Sequence, residues 1–380
     1  MNNRPKSVIE LKAKMLCEGV NPDSSAEELF HQQNPSNVKR GGLSSGGKMR
    51  LPGSIFVNAP FYQKREVDLK ITSDSTRDLG ILIKQDGKIL CRAEVLQAPS
   101  WYSEKVGEFA ISQILTAHNR QLAAAVYENC ALFAQGTQCT FCVMNHSLTI
   151  KAPALVKKSG GLILATLEKI PVKQYGGLTL NGGMTLRSGR GMEIIEPVVR
   201  AVHEIYPKLH ISVEITPPED LDWIDCLVDA GVASLMMNLE CWDIKIRDQL
   251  IPGKNLYCSR DMYLRAFERA LDKLGPGRVS TCFVVGTEPV ISLKEGIEEV
   301  IKRRVIPSPL AGRYFEDIPD YSFVPKVDWR EFLDVLNFTA LLLRRNGIYS
   351  TDKAGCVACG MCDLIKDTQT LRDNTFFAFH

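Results

Sequence analysis

From about residue 121 to 350 the chain alternates between short apolar runs and longer amphipathic stretches, and this alternation constrains the fold more than any other feature. The strand candidates are GGLTLNGG (176–183), HISVEIT (210–216), ASLMMNLE (233–240), RVSTCFVVG (278–286) and VIPSPLAG (305–312). Between them lie segments with apolar residues at helical spacing: MEIIEPVVRAVHEIYPKL (192–209), PEDLDWIDCLVDAG (218–231), DMYLRAFERALDKLG (261–275) and LKEGIEEVIKRR (293–304). A further helical segment, DWREFLDVLNFTALLLRRNG (328–347), follows the last strand. Strands separated by helix-length segments predict βαβ units and a parallel sheet. Right-handed crossovers then either close such units into a barrel or wind them into an open sheet. Counting one strand ahead of Cys130, there are about six units, so the expected fold is α/β, a partial (β/α)6 parallel barrel.

The flanks read differently. Residues 1–120 form an N-terminal, β-rich extension, 121–350 the barrel, and 351–380 a short cysteine-bearing C-terminal tail. In ILIKQDGKILCRAEV (81–95), Asp86-Gly87 between two apolar runs signals a hairpin. FAISQILTAHNRQLAAAVYENC (109–130) fits a helix, but also two strands turning at His118-Asn119-Arg120; the hairpin is favoured, with its second strand delivering Cys130. KRGGLSSGGK (39–48) reads as a solvated loop, with an anion contact as the sharper alternative.

Composition narrows the function classes. With 45% hydrophobic residues, 24% charged and a net charge of +2, nothing favours nucleic acid or an anionic membrane surface as partner. No apolar stretch of membrane-spanning length is present, and the N-terminus lacks the apolar core of a secretory signal. The expected location is therefore the cytoplasm. There, twelve cysteines point to metal binding more than to disulfides.

Six of those cysteines form two runs. Cys130, Cys139 and Cys142 make C-x8-C-x2-C after the first barrel strand, and Cys356, Cys359 and Cys362 make C-x2-C-x2-C in the tail. A closed zinc site takes four protein ligands. A cubane cluster has four irons, so three thiolates leave one iron open to a substrate or cofactor. The expectation is two 4Fe-4S clusters. Zinc stays open as an alternative, with His146 as a fourth ligand for the first run. For the tail, a fourth ligand from Cys17, Cys226, Cys241, Cys258 or Cys282 also stays open.

These residues carry a resemblance. The chain resembles the radical S-adenosylmethionine (radical SAM) enzymes, in the branch that includes biotin synthase and lipoyl synthase, over about 125–350. That family's usual spacing is C-x3-C-x2-C, from which C-x8-C-x2-C departs while keeping the three ligands. Asn181-Gly182-Gly183 sits where the family has a glycine pair whose backbone meets the methionine amino group, with Met184 in place of the usual acid. MNLE (237–240) is similar to the ribose motif, which implies Asn238 and Glu240 on the ribose hydroxyls, and Glu214 lies on the neighbouring strand. VVGTE (284–288) resembles the motif supporting the adenine, through Gly286. A radical SAM family of bacterial nitrilase gene clusters is similar over most of the chain. It shares the C-x8-C-x2-C loop, Arg40-Gly41-Gly42, Pro252-Gly253-Lys254 and the ending from Lys353 to Cys362. The resemblance implies S-adenosyl-L-methionine on the open iron and a 5′-deoxyadenosyl radical that attacks an unactivated C–H bond.

Within that class the tail cysteines suggest sulfur insertion in the manner of lipoyl synthase, with an acylated lipoyl carrier protein as partner and ferredoxin or flavodoxin as electron donor. The alternatives are radical oxidation or rearrangement of a small nitrogen-containing metabolite, and, in another class, a zinc-stabilised binding protein. Lys254 and Arg313 could hold a substrate carboxylate, though solvated charge is the plainer expectation. Cys282 reads as a core residue, and Tyr321 to Pro325 as a loop over the site.

Overall fold

The computed structural model describes residues 4–33, 45–149, 155–316, 318, 321, 323 and 327–370. The N-terminal part is a six-stranded sheet of β1 (Asn21–Pro22), β2 (Gly47–Leu51), β3 (Ile55–Ala59), β4 (Leu69–Ser73), β5 (Gly80–Gln85) and β6 (Lys88–Val95), in the order β1-β4-β5-β6-β2-β3. Its pairs are antiparallel except β1 with β4. Asp86 and Gly87 both take left-handed φ, 50° and 72°, as a two-residue hairpin turn requires. The Gly/Ser-rich loop ends sooner than expected, because Gly47 and Lys48 already pair with Ala59 and Asn58. Arg40-Gly41-Gly42 lies outside the described residues. A small ribbon, β7 (Lys105–Val106) with β8 (Phe109–Ala110), follows.

The second sheet contains β9 (Thr116–His118), β10 (Gln121–Tyr127), β11 (Gly177–Gly182), β12 (Ile211–Glu214), β13 (Ser234–Met236), β14 (Val279–Val285) and β15 (Ile306–Ala311). Its order is β15-β14-β13-β12-β11-β10-β9, with β10 to β15 parallel and β9 antiparallel at one edge. This is the expected partial (β/α)6 barrel, open between β9 and β15. The favoured hairpin is present: His118 pairs with Gln121 around Asn119, whose φ is 55°. Only one helical turn, Ile111–Ile114, precedes it.

Each parallel strand is followed by helical structure whose apolar face covers the sheet. In Met192–Ile205, the buried residues Met192, Ile195, Val198, Val199 and Val202 share one face. Arg260–Leu274, Val290–Lys302 and Trp329–Arg345 bury comparable stripes. The strand residues facing these helices are large and apolar, such as Leu178, Leu180, Ile211, Val213 and Leu235. Their alternates are small and polar: Thr179 pairs with Ser212 and Ser212 with Ser234, and Ser280 and Ser308 continue the row. Barrel interiors are ordinarily filled by branched side chains. Here the space left by serines is taken by the C-terminal tail.

The tail is thus no appendage. Its 3-10 turn Gly355–Cys359 packs against β10, β11, β12 and β13. Ser280 Oγ donates to Ala354 O at 3.2 Å, and Ser308 Oγ donates to Asp363. The N-terminal part grips it from the other side. Lys12, wholly buried in the helix Val8–Glu18, donates to Gly360 O at 2.6 Å and pairs with Asp367 at 2.5 Å. Asn58 N donates to Met361 O at 3.0 Å. Among the described residues, no helix is long and apolar enough to cross a membrane.

Candidate functional site

The first cysteine run hangs from the end of β10. Cys130 caps the short helix Ala131–Ala134, and Gly136 reverses the chain with φ 66°. Cys142 N then donates to Cys139 O at 3.0 Å, closing a turn around Phe141. The end of β11 lies against this loop: Gly183 N donates to Tyr127 O, and Ala131 N to Met184 O, both at 2.9 Å. A Cβ on Gly183 would stand 1.9 Å from Asn129 O and 2.9 Å from Cys130 Cβ, so only glycine permits the approach. In the described structure, then, Gly183 seats the cysteine loop.

The three thiols converge electrostatically. Burial pushes the Cys142 thiol up to about 11 and Cys139 well above its ordinary value. Both also feel Cys130, Cys139 feels Cys142 as well, and Lys254 pulls both down. Buried thiols gathered this way become thiolates only when a metal or cluster compensates them. Among the described residues, no three His, Cys, Asp or Glu side chains form a group that could hold one metal ion. A cubane spreads its thiolates over several irons. Three cysteine thiols in one loop are the donor set of a cubane with one open iron, and that donor chemistry fits a cluster.

Beside this loop, the ends of β11, β12 and β13 carry a polar row. Asn181 is in register with Glu214 and hydrogen-bonds to it. Asn238 Nδ2 donates to Glu214 Oε1 at 2.7 Å. Burial pushes the Glu214 carboxyl up; Asn238 lowers it, Glu240 raises it further, and Lys254 and Asn181 lower it. Asn238 Oδ1 is buried and without a hydrogen-bond partner. An unpaired buried acceptor is costly, and a ribose hydroxyl is the kind of donor that would satisfy it.

Glu240 lies just beyond β13 with φ 73°, a left-handed conformation that costs an ordinary residue of order 1–3 kcal/mol. Its backbone bonds to β14 compensate: its N donates to Cys282 O at 2.9 Å and its O accepts from Val284 N at 2.7 Å. Arg247, wholly buried, holds the carbonyls of Leu239, Cys241 and Cys258. The Glu240 carboxylate is thereby aimed into the barrel, where Oε1 meets Lys254 Nζ at 2.7 Å and Oε2 accepts from Cys282 Sγ at 3.2 Å. Lys254 is not the solvated charge that was the plainer expectation: it is buried, because its short helix docks on the cysteine loop. Arg313 is buried too, donating to Ser45 O at 2.8 Å and to Asn58 O. Gly286, φ 89°, ends β14; nearby Glu288 accepts from Trp242 N and Asp243 N at 2.7 and 2.9 Å, fixing the loop after β13. The sequence marked Lys254 as a candidate for a substrate carboxylate and Glu288 within VVGTE, but no pattern marked Arg247 or the partners these three charges take.

The tail supplies the second thiol group. In a 3-10 turn, residues three apart stand one above the other, which aligns Cys356 with Cys359. Gly360, φ 67°, then turns the chain so that Cys362 joins them. Burial pushes Cys359 up to about 12 and raises Cys362. Cys356 stays exposed although Ala354, Gly355, Val357 and Ala358 are buried, and among charged groups it feels Glu214 first. It therefore faces the barrel interior beneath the polar row. Cys241 packs with Cys139 and Phe141, Cys258 donates to Pro217 O, and Cys282 to Glu240, which places these thiols at the first site's side. Tyr321 and Phe323 close over the first run: Tyr321 OH donates to Phe141 O at 3.2 Å and Phe323 stacks edge-on to Phe141. The remainder of that expected cover lies largely outside the described residues.

No family model matches the chain. A bacteriochlorophyllide c C-7(1)-hydroxylase from Chlorobaculum limnaeum is 23% identical over 353 residues, 85% of this chain and 82% of that protein. Among solved structures, methylornithine synthase covers 66% of this chain and 68% of its own, at 14% identity and TM-score 0.47. A radical SAM methyltransferase from Sphaerobacter thermophilus covers 74% and 76%, at 15% identity and TM-score 0.44. At these TM-scores the structural likenesses add no argument of their own. Over most of its length the chain is similar in sequence to that hydroxylase.

Proposed function

We propose that the chain is a radical SAM enzyme that activates an unactivated C–H bond and inserts sulfur there. One observation carries this reading: the turn that bears Cys356 and Cys359 packs against β10 to β13 of the same barrel whose β10 end leads into Cys130. S-adenosyl-L-methionine bound at the first cluster supplies a 5′-deoxyadenosyl radical. Cys130, Cys139 and Cys142 hold that 4Fe-4S cluster. Asn181, Gly182 and Gly183 border the methionine end, and Asn238 Oδ1, with Glu240, receives the ribose hydroxyls. Glu214 stays within the hydrogen-bonded row, and Gly286 supports the adenine. Cys356, Cys359 and Cys362 hold a second 4Fe-4S cluster as sulfur donor. The serine-lined floor and the tail exclude water from below. The partners are a ferredoxin or flavodoxin and an acylated lipoyl carrier protein, and the setting is the cytoplasm.

The hydroxylase relative favours a second reading, radical oxidation of a C–H carbon, in which the tail cluster binds substrate or carries electrons. Iron and sulfide content after anaerobic reconstitution shows whether the tail holds a cluster, which sulfur insertion requires and oxidation does not. The native chain should hold about eight irons and a variant with Cys356→Ala, Cys359→Ala and Cys362→Ala about four. About four in both removes sulfur insertion and leaves oxidation. S-adenosylmethionine with dithionite should yield 5′-deoxyadenosine; its absence from iron-loaded protein ends the radical reading. Colourless, zinc-loaded protein would establish the zinc-stabilised binding protein instead.

A further inference from the structure

Lys254 follows Pro252-Gly253 in the short helix Pro252–Tyr257. That segment is pinned to the first cysteine loop at two places. Gly253 N donates to Thr137 O at 3.0 Å, and Thr140 N donates to Leu250 O at 2.9 Å. A Cβ on Gly253 would stand 2.5 Å from Thr137 Oγ1 and 2.6 Å from Thr137 O, so the contact needs glycine there. The docking sends the next side chain down into the barrel. Lys254 Nζ donates to Glu240 Oε1 at 2.7 Å and to Asn238 O at 2.9 Å. A buried ammonium thus stands between the cysteine loop and the two residues expected on the ribose.

We propose that Lys254 is a positioning residue whose fixed positive charge sets the electron affinity of the cluster held by Cys130, Cys139 and Cys142 and keeps Glu240 oriented toward the cofactor. The inference rests on the radical SAM reading. A charge in a site shielded from water is screened less than one in solvent and acts more strongly on its neighbours. Reduction adds one negative charge to an assembly that already carries three thiolates. A nearby ammonium favours the reduced form, and net charge around a cluster is one of the protein's levers on its potential. Burial, the largest single effect, pulls Lys254 down, yet Glu240, Tyr263 and Cys139 together hold it well above its ordinary value, so the ammonium stays charged. Glu240 opposes the ammonium's effect on the cluster, and removing either charge should move the potential in opposite directions.

The test is a dithionite titration of anaerobically reconstituted full-length protein, one electron passing from dithionite to the oxidised cluster. The potential is read on the EPR signal that changes when S-adenosylmethionine is added. Lys254→Met keeps the stem and removes the charge; Lys254→Arg keeps the charge. We expect Lys254→Met to load as much iron as the native chain. Its reduction equilibrium should weaken by about tenfold, a midpoint lower by about 59 mV for one electron, while Lys254→Arg stays near the native value. Native iron content with a native midpoint in Lys254→Met overturns the proposal and makes the lysine a structural tie. If Lys254→Met does not load, Glu240→Gln decides. A midpoint shifted upward supports the proposal, and an unmoved one overturns it. A native chain that takes up no iron overturns the functional reading, and this inference with it.

Discussion

Gly355 presses against Ser212: a Cβ built on the glycine would lie 3.0 Å from both Cβ and Oγ of Ser212, and 3.3 Å from Ser234 Oγ. This contact seats the tail in the barrel, and it is possible because both partners are small. Gly355 also has φ 66°, where an L side chain costs roughly 1–2 kcal/mol. Gly355→Ala should therefore undock the tail before it unfolds the barrel. The expected reading is an iron content falling from about eight to about four, with the 5′-deoxyadenosine signal retained. Unchanged iron would mean that the tail does not need this contact.

Gly183 makes the corresponding prediction for the first site. Its missing Cβ is the space occupied by Asn129 O at 1.9 Å. Gly183→Ala has to push the cysteine loop away from β11, and a shift of that size displaces Cys130. Reconstituted Gly183→Ala should hold only the tail's share of iron, about four, and yield no 5′-deoxyadenosine. A variant with full iron content would show that the loop has slack.

Lys12 ties the two ends of the chain together. Its side chain is wholly inaccessible and its partners are Gly360 O and Asp367, itself 16% exposed. Removing one member of a buried pair leaves the other charge without compensation, a loss of about 3–5 kcal/mol. Some exposure of Asp367 places the expected loss at the lower end, about 3 kcal/mol. Lys12→Met should lower the urea midpoint accordingly. A loss below about 1 kcal/mol would show that the tail is held by the serine floor alone.

His210 lends the tail's seat a pH dependence. Its Nε2 lies 3.0 Å from Ser234 Oγ. Burial lowers its pKa, as do Arg278 and Lys353, against a hydrogen bond that the ring donates to the Lys353 backbone carbonyl. The folded state thus binds the proton less readily than the unfolded chain. Its contribution is present in full above about pH 6.5 and is lost as pH falls from there toward the folded value. Stability should decline on acidification through that window, and His210→Asn should flatten this part of the profile. Equal slopes in both proteins would remove His210 as the cause.

The backbone architecture was legible because its signals are local. Alternating short apolar runs and 3.6-period stretches reproduced β11 to β15 and the longest helix between each pair, with ends off by a few residues, but not the short helices Ile244–Leu250 and Pro252–Tyr257. Asp86-Gly87 and Asn119 marked their turns because left-handed φ restricts the residue types allowed. The cysteine runs were visible for a similar reason: ligand count and spacing are properties of the chain. Less obvious was the serine row. Thr179, Ser212, Ser234, Ser280 and Ser308 occupy alternate strand positions, a period-two signal hidden within runs that read as simply apolar.

Sequence by itself determined the βα order, the hairpins and the two groups of three thiols, each written into neighbouring residues. Only the tertiary structure decided that the tail lies inside the barrel, and that Lys254, far from solvent, meets Glu240. Those facts depend on packing between segments distant in sequence. Gly355 finds Ser212 across 143 positions of chain and Lys12 finds Gly360 across 348. Such contacts are set by which small residues leave space and which buried charges must be paired, and local pattern carries neither.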